Sequence, residues 1–254
     1  MSTNKVSKLI AITGKGGVGK TTVSALLIKN LLATGKSPVL AIDADPNSCL
    51  DAALGVHVTE TVGRAREEAK VASGTSANIS KRELLRIKLE QALVEAKGFD
   101  LIAMGRPEGE GCYCYANNIL KEIISEISSQ YPYVVLDNEA GLENLSRRIV
   151  QKVDLLVLTS DASNAGLQTL LRLHELAVEM ALSYGKLALM VNRLRTDKLP
   201  GRMDEIREKT KADLVIGLPD DEEVTAFAET SRSFLEISDS NPVYEKIREL
   251  HACL

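Results

Sequence analysis

Residues 14–22 read GKGGVGKTT and follow directly on the apolar run KLIAIT of 8–13. Glycines at Gly14, Gly16, Gly17 and Gly19 let backbone N–H groups turn inward around an anion, and a helix opening at Lys20 adds partial positive charge there. The spacing is G-x-x-x-x-G-K-[ST], and a strand before it with a helix after it is the context that confirms a phosphate-binding loop. On this reading the backbone from Gly14 through Lys15, Gly16, Gly17, Val18 and Gly19 cradles phosphates. Lys20 reaches the β- and γ-phosphates, and Thr21, with Thr22 beside it, offers a hydroxyl to Mg²⁺. Asp137 ends the run YVVLD, a buried strand end that suits a carboxylate holding Mg²⁺ through water.

A second group of residues points to softer chemistry. The stretch GEGCYCYANN (109–118) brings Cys112 and Cys114 together in a chain of four cysteines. In a reducing compartment close cysteines indicate metal or redox chemistry sooner than a disulfide. Two thiolates at i and i+2 supply two ligands where a structural zinc takes four, so a second copy across a two-fold axis would complete a four-sulfur site for Ni²⁺ or Zn²⁺. The alternatives are a redox pair and packing cysteines; Cys49 and Cys253, alone in helical patterns, are read as packing. His57, His174 and His251 sit singly and are read as structural or surface residues.

These groups must be positioned by a frame, and the hydrophobic pattern supplies one. Apolar, partly β-branched runs at 8–13, 38–47, 99–104, 133–138, 154–160, 186–192 and 212–217 are expected strands, with helical patterns between most of them, including 20–36 and 116–128. Strands apolar throughout and alternating with helices imply an α/β fold, a mainly parallel twisted sheet with helices on both faces and ligand loops along one edge. No linker divides the chain, so 1–254 is expected to be one domain. Residues 55–98 form an insertion, with a charged helix over 81–97.

Composition narrows the partners. A net charge of -4 with scattered basic pairs argues against nucleic acid. No apolar stretch approaches a membrane span, and the polar N-terminus lacks the core of a signal peptide, so a cytoplasmic protein is expected.

The surplus lysine, Lys15, makes KGGVGKT resemble the deviant phosphate loop of the MinD, ParA, ArsA and nitrogenase iron-protein class; a surface lysine is the plainer alternative. The resemblance implies that Lys15 crosses a dimer interface to the partner's nucleotide, as an arginine finger does. It implies that IDADPN (42–47) is the first switch loop, with Asp45 positioning and deprotonating the attacking water and Asp43 a helper or loop cap. DNEAG (137–141) would be the second switch, hinged at Gly141. Asn192 and Arg193, with Pro219 and more weakly Asp220, would meet the base. NRLRTD lacks the N-K-x-D guanine signature, so ATP is favoured.

Taken together, GKGGVGKTT, DADPN, GEGCYCYANN and DNEAGLENLSRR resemble the carbon monoxide dehydrogenase accessory ATPases, nickel-insertion proteins of the MinD-like class. That resemblance implies ATP hydrolysis to ADP, a homodimer when ATP or metal is bound, carbon monoxide dehydrogenase as client, and Cys112 and Cys114 as the metal ligands. Two rivals remain: an iron–sulfur electron-transfer ATPase like the nitrogenase iron protein, and a MinD- or ParA-type positioning ATPase. The first takes its cluster cysteines from separate loops, and the second uses a basic amphipathic C-terminal helix that NPVYEKIRELHACL does not supply.

Overall fold

The computed structural model describes residues 7–72, 80–106, 122–142 and 152–254. Its centre is an eight-stranded sheet in the order β3-β4-β2-β5-β1-β6-β7-β8, parallel throughout except at β3. The strands are β1 (Lys8–Gly14), β2 (Val39–Asp43), β3 (Val94–Glu95), β4 (Phe99–Ala103), β5 (Tyr133–Ala140), β6 (Lys152–Asp161), β7 (Ser183–Leu194) and β8 (Leu214–Pro219). All five residues of β2 are buried, which is why its sequence runs apolar without alternation: a parallel strand inside an α/β sheet has no wet face.

Two cores cover the sheet. On one face α1 (Lys20–Ala33), α2 (Leu50–Leu54), α7 (Glu222–Glu229) and α8 (Pro242–Ile247) pack against Ile10, Ile12, Ala41, Val135 and Val157. On the other, α3 (Val62–Ala72), α4 (Lys81–Gln91), a helix over 122–128, α5 (Asn164–Glu179) and α6 (Met203–Thr210) cover Ala11, Leu40, Leu136, Leu158 and Leu189. The α/β, mainly parallel architecture expected from the alternating pattern is the one observed.

β1 sits between β5 and β6, so its C-terminal end opens at the middle of the sheet edge. Parallel pairing puts the loops after β2, β5, β6, β7 and β8 on that same edge, where ligands bind in open α/β sheets. Within 55–98 the helix expected over 81–97 ends at Gln91, because Val94–Glu95 turn back to pair antiparallel with β4. Gly98, at φ +88, closes that hairpin in a conformation other residues avoid. Among the described residues no helix is long and apolar enough to cross a membrane.

Candidate active site

The phosphate loop leaves β1 at Gly14, and α1 opens at Lys20. Gly14 has no room for a side chain: a Cβ there would lie 2.2 Å from the Thr159 carbonyl oxygen on β6. Gly19 takes φ +93 at the N-cap of α1, and neither it nor its neighbours cap the helix with a side chain. By contrast Ser80, Ser163, Asp221 and Asn241 cap α4, α5, α7 and α8 through side-chain oxygens. The first N–H groups of α1 therefore face the loop with the helix's partial positive charge and no internal acceptor. Val18 is buried beneath the loop, Gly16 and Gly17 are exposed above it, and Thr22 is half-buried on the first turn of α1. Lys20 is 8 % exposed and folds back to donate from Nζ to the Lys15 carbonyl at 3.2 Å, while Lys15 itself points outward from an exposed position.

Three carboxylates gather beside this loop. Asp137 lies near the end of the buried run of β5 and accepts hydrogen bonds from the Thr21 and Ser24 hydroxyls, the latter at 3.0 Å. Burial, chiefly, raises its pKa to about 7, and the neighbouring Asp43 carboxylate adds to this. Asp43 is a loop cap: its oxygens accept the Asp45 N–H at 3.0 Å and the Leu50 N–H at 2.9 Å, with the Cys49 N–H a third donor. Burial still outweighs those donors and pushes Asp43 up to about 6. Asp45, half-buried at the head of the loop, accepts the Asn47 N–H at 2.8 Å. Lys20, Thr21, Asp43 and Asp137 are thus neighbours, and Asp45 adjoins them through its backbone N–H on Asp43.

Ser24 escaped the sequence reading although it carries a signal, a hydroxyl one helical turn beyond Lys20 between the apolar Val23 and Ala25. Thr13, too, went unread: its hydroxyl donates to the Gly141 carbonyl, while the Gly141 N–H donates to Gly14 at 3.2 Å. Gly141 itself takes φ +96, consistent with a hinge that only glycine adopts cheaply. Asn138 adds a third tie, donating from Nδ2 to the Ile12 carbonyl at 3.3 Å.

The base-side candidates lie at the ends of β7 and β8. Asn192 is turned onto the phosphate loop: Nδ2 donates to the Val18 carbonyl at 2.9 Å, and Oδ1 accepts the Arg193 N–H at 2.9 Å. It therefore clamps the loop and holds Arg193 at φ +57, leaving one N–H and one lone pair of its amide for a base. Pro219 closes β8, and Asp220 donates its N–H to the Leu194 carbonyl at 2.8 Å. Beside them lies a cavity of about 620 Å³ lined by Asp161, Ser163, Arg193, Arg195, Lys198 and Asp220 among others. The Ser163 hydroxyl, above all, holds Asp161 below the usual carboxylate range, with the charges of Lys15 and Arg193 assisting.

Cys112 and Cys114 lie outside the described residues. Among the described residues no group of three or more His, Cys, Asp or Glu side chains could hold a metal ion. Cys49 is a correction: it is exposed at the N-cap of α2 and packs no core. Cys253 is half-buried against the core on the α1 face.

Comparison with known proteins bears on the family and the fold. The model of the AAA domain family matches residues 7–183. An uncharacterized ATP-binding protein of Methanocaldococcus jannaschii is 40% identical over 245 residues, 95% of this chain and 96% of its own. The carbon monoxide dehydrogenase accessory protein CooC of Rhodospirillum rubrum is 32% identical over 185 residues, 68% of this chain and 70% of its own. Among solved structures, a ParA family ATPase from Chlorobium tepidum superposes with a TM-score of 0.74 at 17% identity, over 98% of both chains. The phosphate loop, the buried Asp137 and these likenesses together place the chain in the AAA-domain family of P-loop ATPases, with the fold of a ParA family ATPase.

Proposed function

We propose that this protein is an ATP-hydrolysing metallochaperone that dimerises with nucleotide and inserts nickel into the nickel–iron–sulfur centre of carbon monoxide dehydrogenase. Two observations support the metal-handling part. Cys112 and Cys114 follow β4 closely in the chain, and β4 leaves the sheet with the Met104 N–H donating to the Asp43 carbonyl at 2.8 Å. The chain that carries them therefore leaves β4 at the nucleotide edge. CooC, whose name records an accessory role for that dehydrogenase, is the relative that bears on the client.

The chain's own residues divide the ATPase work. The N–H groups from Gly14 to Thr21 and the Lys20 ammonium bind the phosphates and offset the charge that builds on the leaving ADP oxygen. Asp45 accepts a proton from the water whose oxygen attacks the γ-phosphorus, as the bond to the β–γ bridging oxygen breaks. Lys15, exposed in the monomer, reaches the partner's nucleotide. Asn192, Arg193 and Pro219 border the base.

The residues beside the loop fit Mg²⁺. Asp137 and Asp43 concentrate buried carboxylate oxygen next to the Thr21 hydroxyl, and a hard divalent cation takes oxygen donors. Thr21 and Asp137 would hold it, and when bound it would neutralise charge between the β- and γ-phosphates.

Ni²⁺ or Zn²⁺ is cargo in this scheme, held by Cys112 and Cys114 from each of two copies. Because ATP favours the closed dimer and the closed dimer completes the sulfur set, each ligand strengthens the other. Nucleic acid and membrane have no place in it, and the cytoplasm is its compartment.

Activation of nickel-free carbon monoxide dehydrogenase by this protein, Ni²⁺ and MgATP tests the reading, with Cys112→Ala/Cys114→Ala as control. Activation that is ATP-dependent and absent in the control is expected; equal activation by the control would refute it. Likeness of fold to a ParA family ATPase favours one competing reading, a positioning ATPase. Nucleotide-dependent flotation with liposomes, or retention on DNA, would decide for that alternative.

A further inference from the structure

Asn47 and Arg106 join two segments that the ATPase reading leaves unconnected. Arg106 Nη2 donates to Asn47 Oδ1 at 3.0 Å, and the Asn47 backbone N–H donates to Asp45 Oδ1 at 2.8 Å. The carboxylate assigned to the attacking water is thus two hydrogen bonds from a guanidinium that lies six residues before Cys112 in the chain.

The segment carrying Arg106 is otherwise pinned at its backbone. Met104 donates to the Asp43 carbonyl at 2.8 Å and accepts from the Gly63 N–H at 2.9 Å. Gly63 lies so close that a Cβ would stand 2.3 Å from the Arg106 carbonyl oxygen, and a Cβ on Gly105, at φ +63, would stand 2.6 Å from the Thr61 side chain. The Arg106 side chain, by contrast, is exposed and reaches across to the Asp45 loop. The contact is directional, because a guanidinium presents its donors in a fixed planar fork.

We propose that Arg106 is a positioning residue that reports the state of the Asp45 loop to the chain entering the Cys112–Cys114 stretch. The Asp45 carboxylate holds the Asn47 N–H only while it faces its own loop. Turning to a water at the γ-phosphate gives up that bond, moves the Asn47 amide, and releases or redirects Arg106. An exposed hydrogen bond contributes little to stability, yet coupling between sites needs only a several-fold preference. The proposal deepens the metal-handling reading and rests on it for its purpose, though not for its test.

The test uses metal-free full-length protein with ADP or a non-hydrolysable ATP analogue. Iodoacetamide alkylation of Cys112 and Cys114 is timed, with peptide mass spectrometry assigning each site. In the wild type the two nucleotides should give rates differing by about three- to tenfold, the span of a modest coupling. Arg106→Ala should bring that ratio close to one with nucleotide affinity and basal turnover unchanged, and Arg106→Lys should keep part of it. Retention of the wild-type ratio in Arg106→Ala, or a wild-type ratio of one, overturns the proposal. Ni²⁺ binding measured on the same samples is judged separately. Nucleotide-dependent alkylation without Ni²⁺ binding would uphold the link and remove the metal reading.

Discussion

Asp43 and Asp137 are register partners on the adjacent parallel strands β2 and β5, each about 1 % exposed, with side chains on the same edge as the phosphate loop. Burial, above all, raises Asp43 to about 6 and Asp137 to about 7; the Asp45 charge adds to the first and the Asp43 charge to the second. The arrangement is costly to the protein alone and favourable once a cation shares it.

The sign of the resulting pH dependence follows. Carboxylates in the unfolded chain titrate near pH 4. Between about pH 4 and pH 7 the folded, metal-free protein therefore binds more protons than the unfolded one, and these two groups subtract stability as the pH rises through that window. Asp137→Asn keeps an oxygen for Ser24 and removes the charge. It should raise the Tm of metal-free protein at pH 8, by an amount corresponding to about 2–4 kcal/mol, and change it little at pH 5. Thermal scans in EDTA at both pH values check this, and a variant less stable than wild type at pH 8 would contradict it.

Lys20 and Asp45 separate binding from hydrolysis. Lys20→Ala removes a buried ammonium from the phosphates and should weaken ATP binding by about two orders of magnitude. Asp45→Ala should bind ATP, hydrolyse it at a small fraction of the wild-type rate, and accumulate as a dimer. Fluorescent-nucleotide titration and light scattering read both, and an Asp45→Ala protein that stays monomeric with ATP would oppose the assignment of this loop.

Asn192 should matter to the loop before it matters to the base. Asn192→Ala removes the bond to Val18 and the support of Arg193 at positive φ, and each net hydrogen bond of this kind contributes about 1 kcal/mol. We expect weaker binding of ATP and of inorganic triphosphate alike. A variant that loses affinity for ATP yet binds triphosphate as the wild type does would make Asn192 a base reader only. Gly14→Ala should be worse than either, because the Thr159 carbonyl in its way is backbone and cannot swing aside.

Much of this was legible in the sequence because parallel strands announce themselves. Apolar runs at 8–13, 38–42 and 133–136 lead into the phosphate loop, the Asp45 loop and Asp137, and the C-terminal ends of parallel strands share an edge. What stayed hidden was local. Val94–Glu95 continues a helical charge pattern, and only the turn at Gly98 and pairing to Asp100 and Leu101 make it a strand. An amide such as that of Asn192 looks the same in a sequence whichever way it faces. Cys49 resembled a core cysteine by its neighbours Leu50 and Ala53, yet it sits at a helix N-cap, where the side chain turns to solvent.

The cysteine pair is separable from the nucleotide site. Cys112→Ala/Cys114→Ala should abolish Ni²⁺ and Zn²⁺ binding and leave ATP affinity within about twofold of wild type, as expected of sites with no shared ligand. Equilibrium dialysis with metal analysis decides it, and stoichiometric metal retained by the double variant would place the site elsewhere.

The most direct measurement is size-exclusion chromatography with light scattering and elemental analysis of each peak, run with ADP, with a non-hydrolysable ATP analogue, and with neither. The account predicts a dimer carrying one Ni²⁺ or Zn²⁺ per two chains with the ATP analogue, and metal lost as the chains separate. A monomer that keeps its metal whatever nucleotide is present would contradict it.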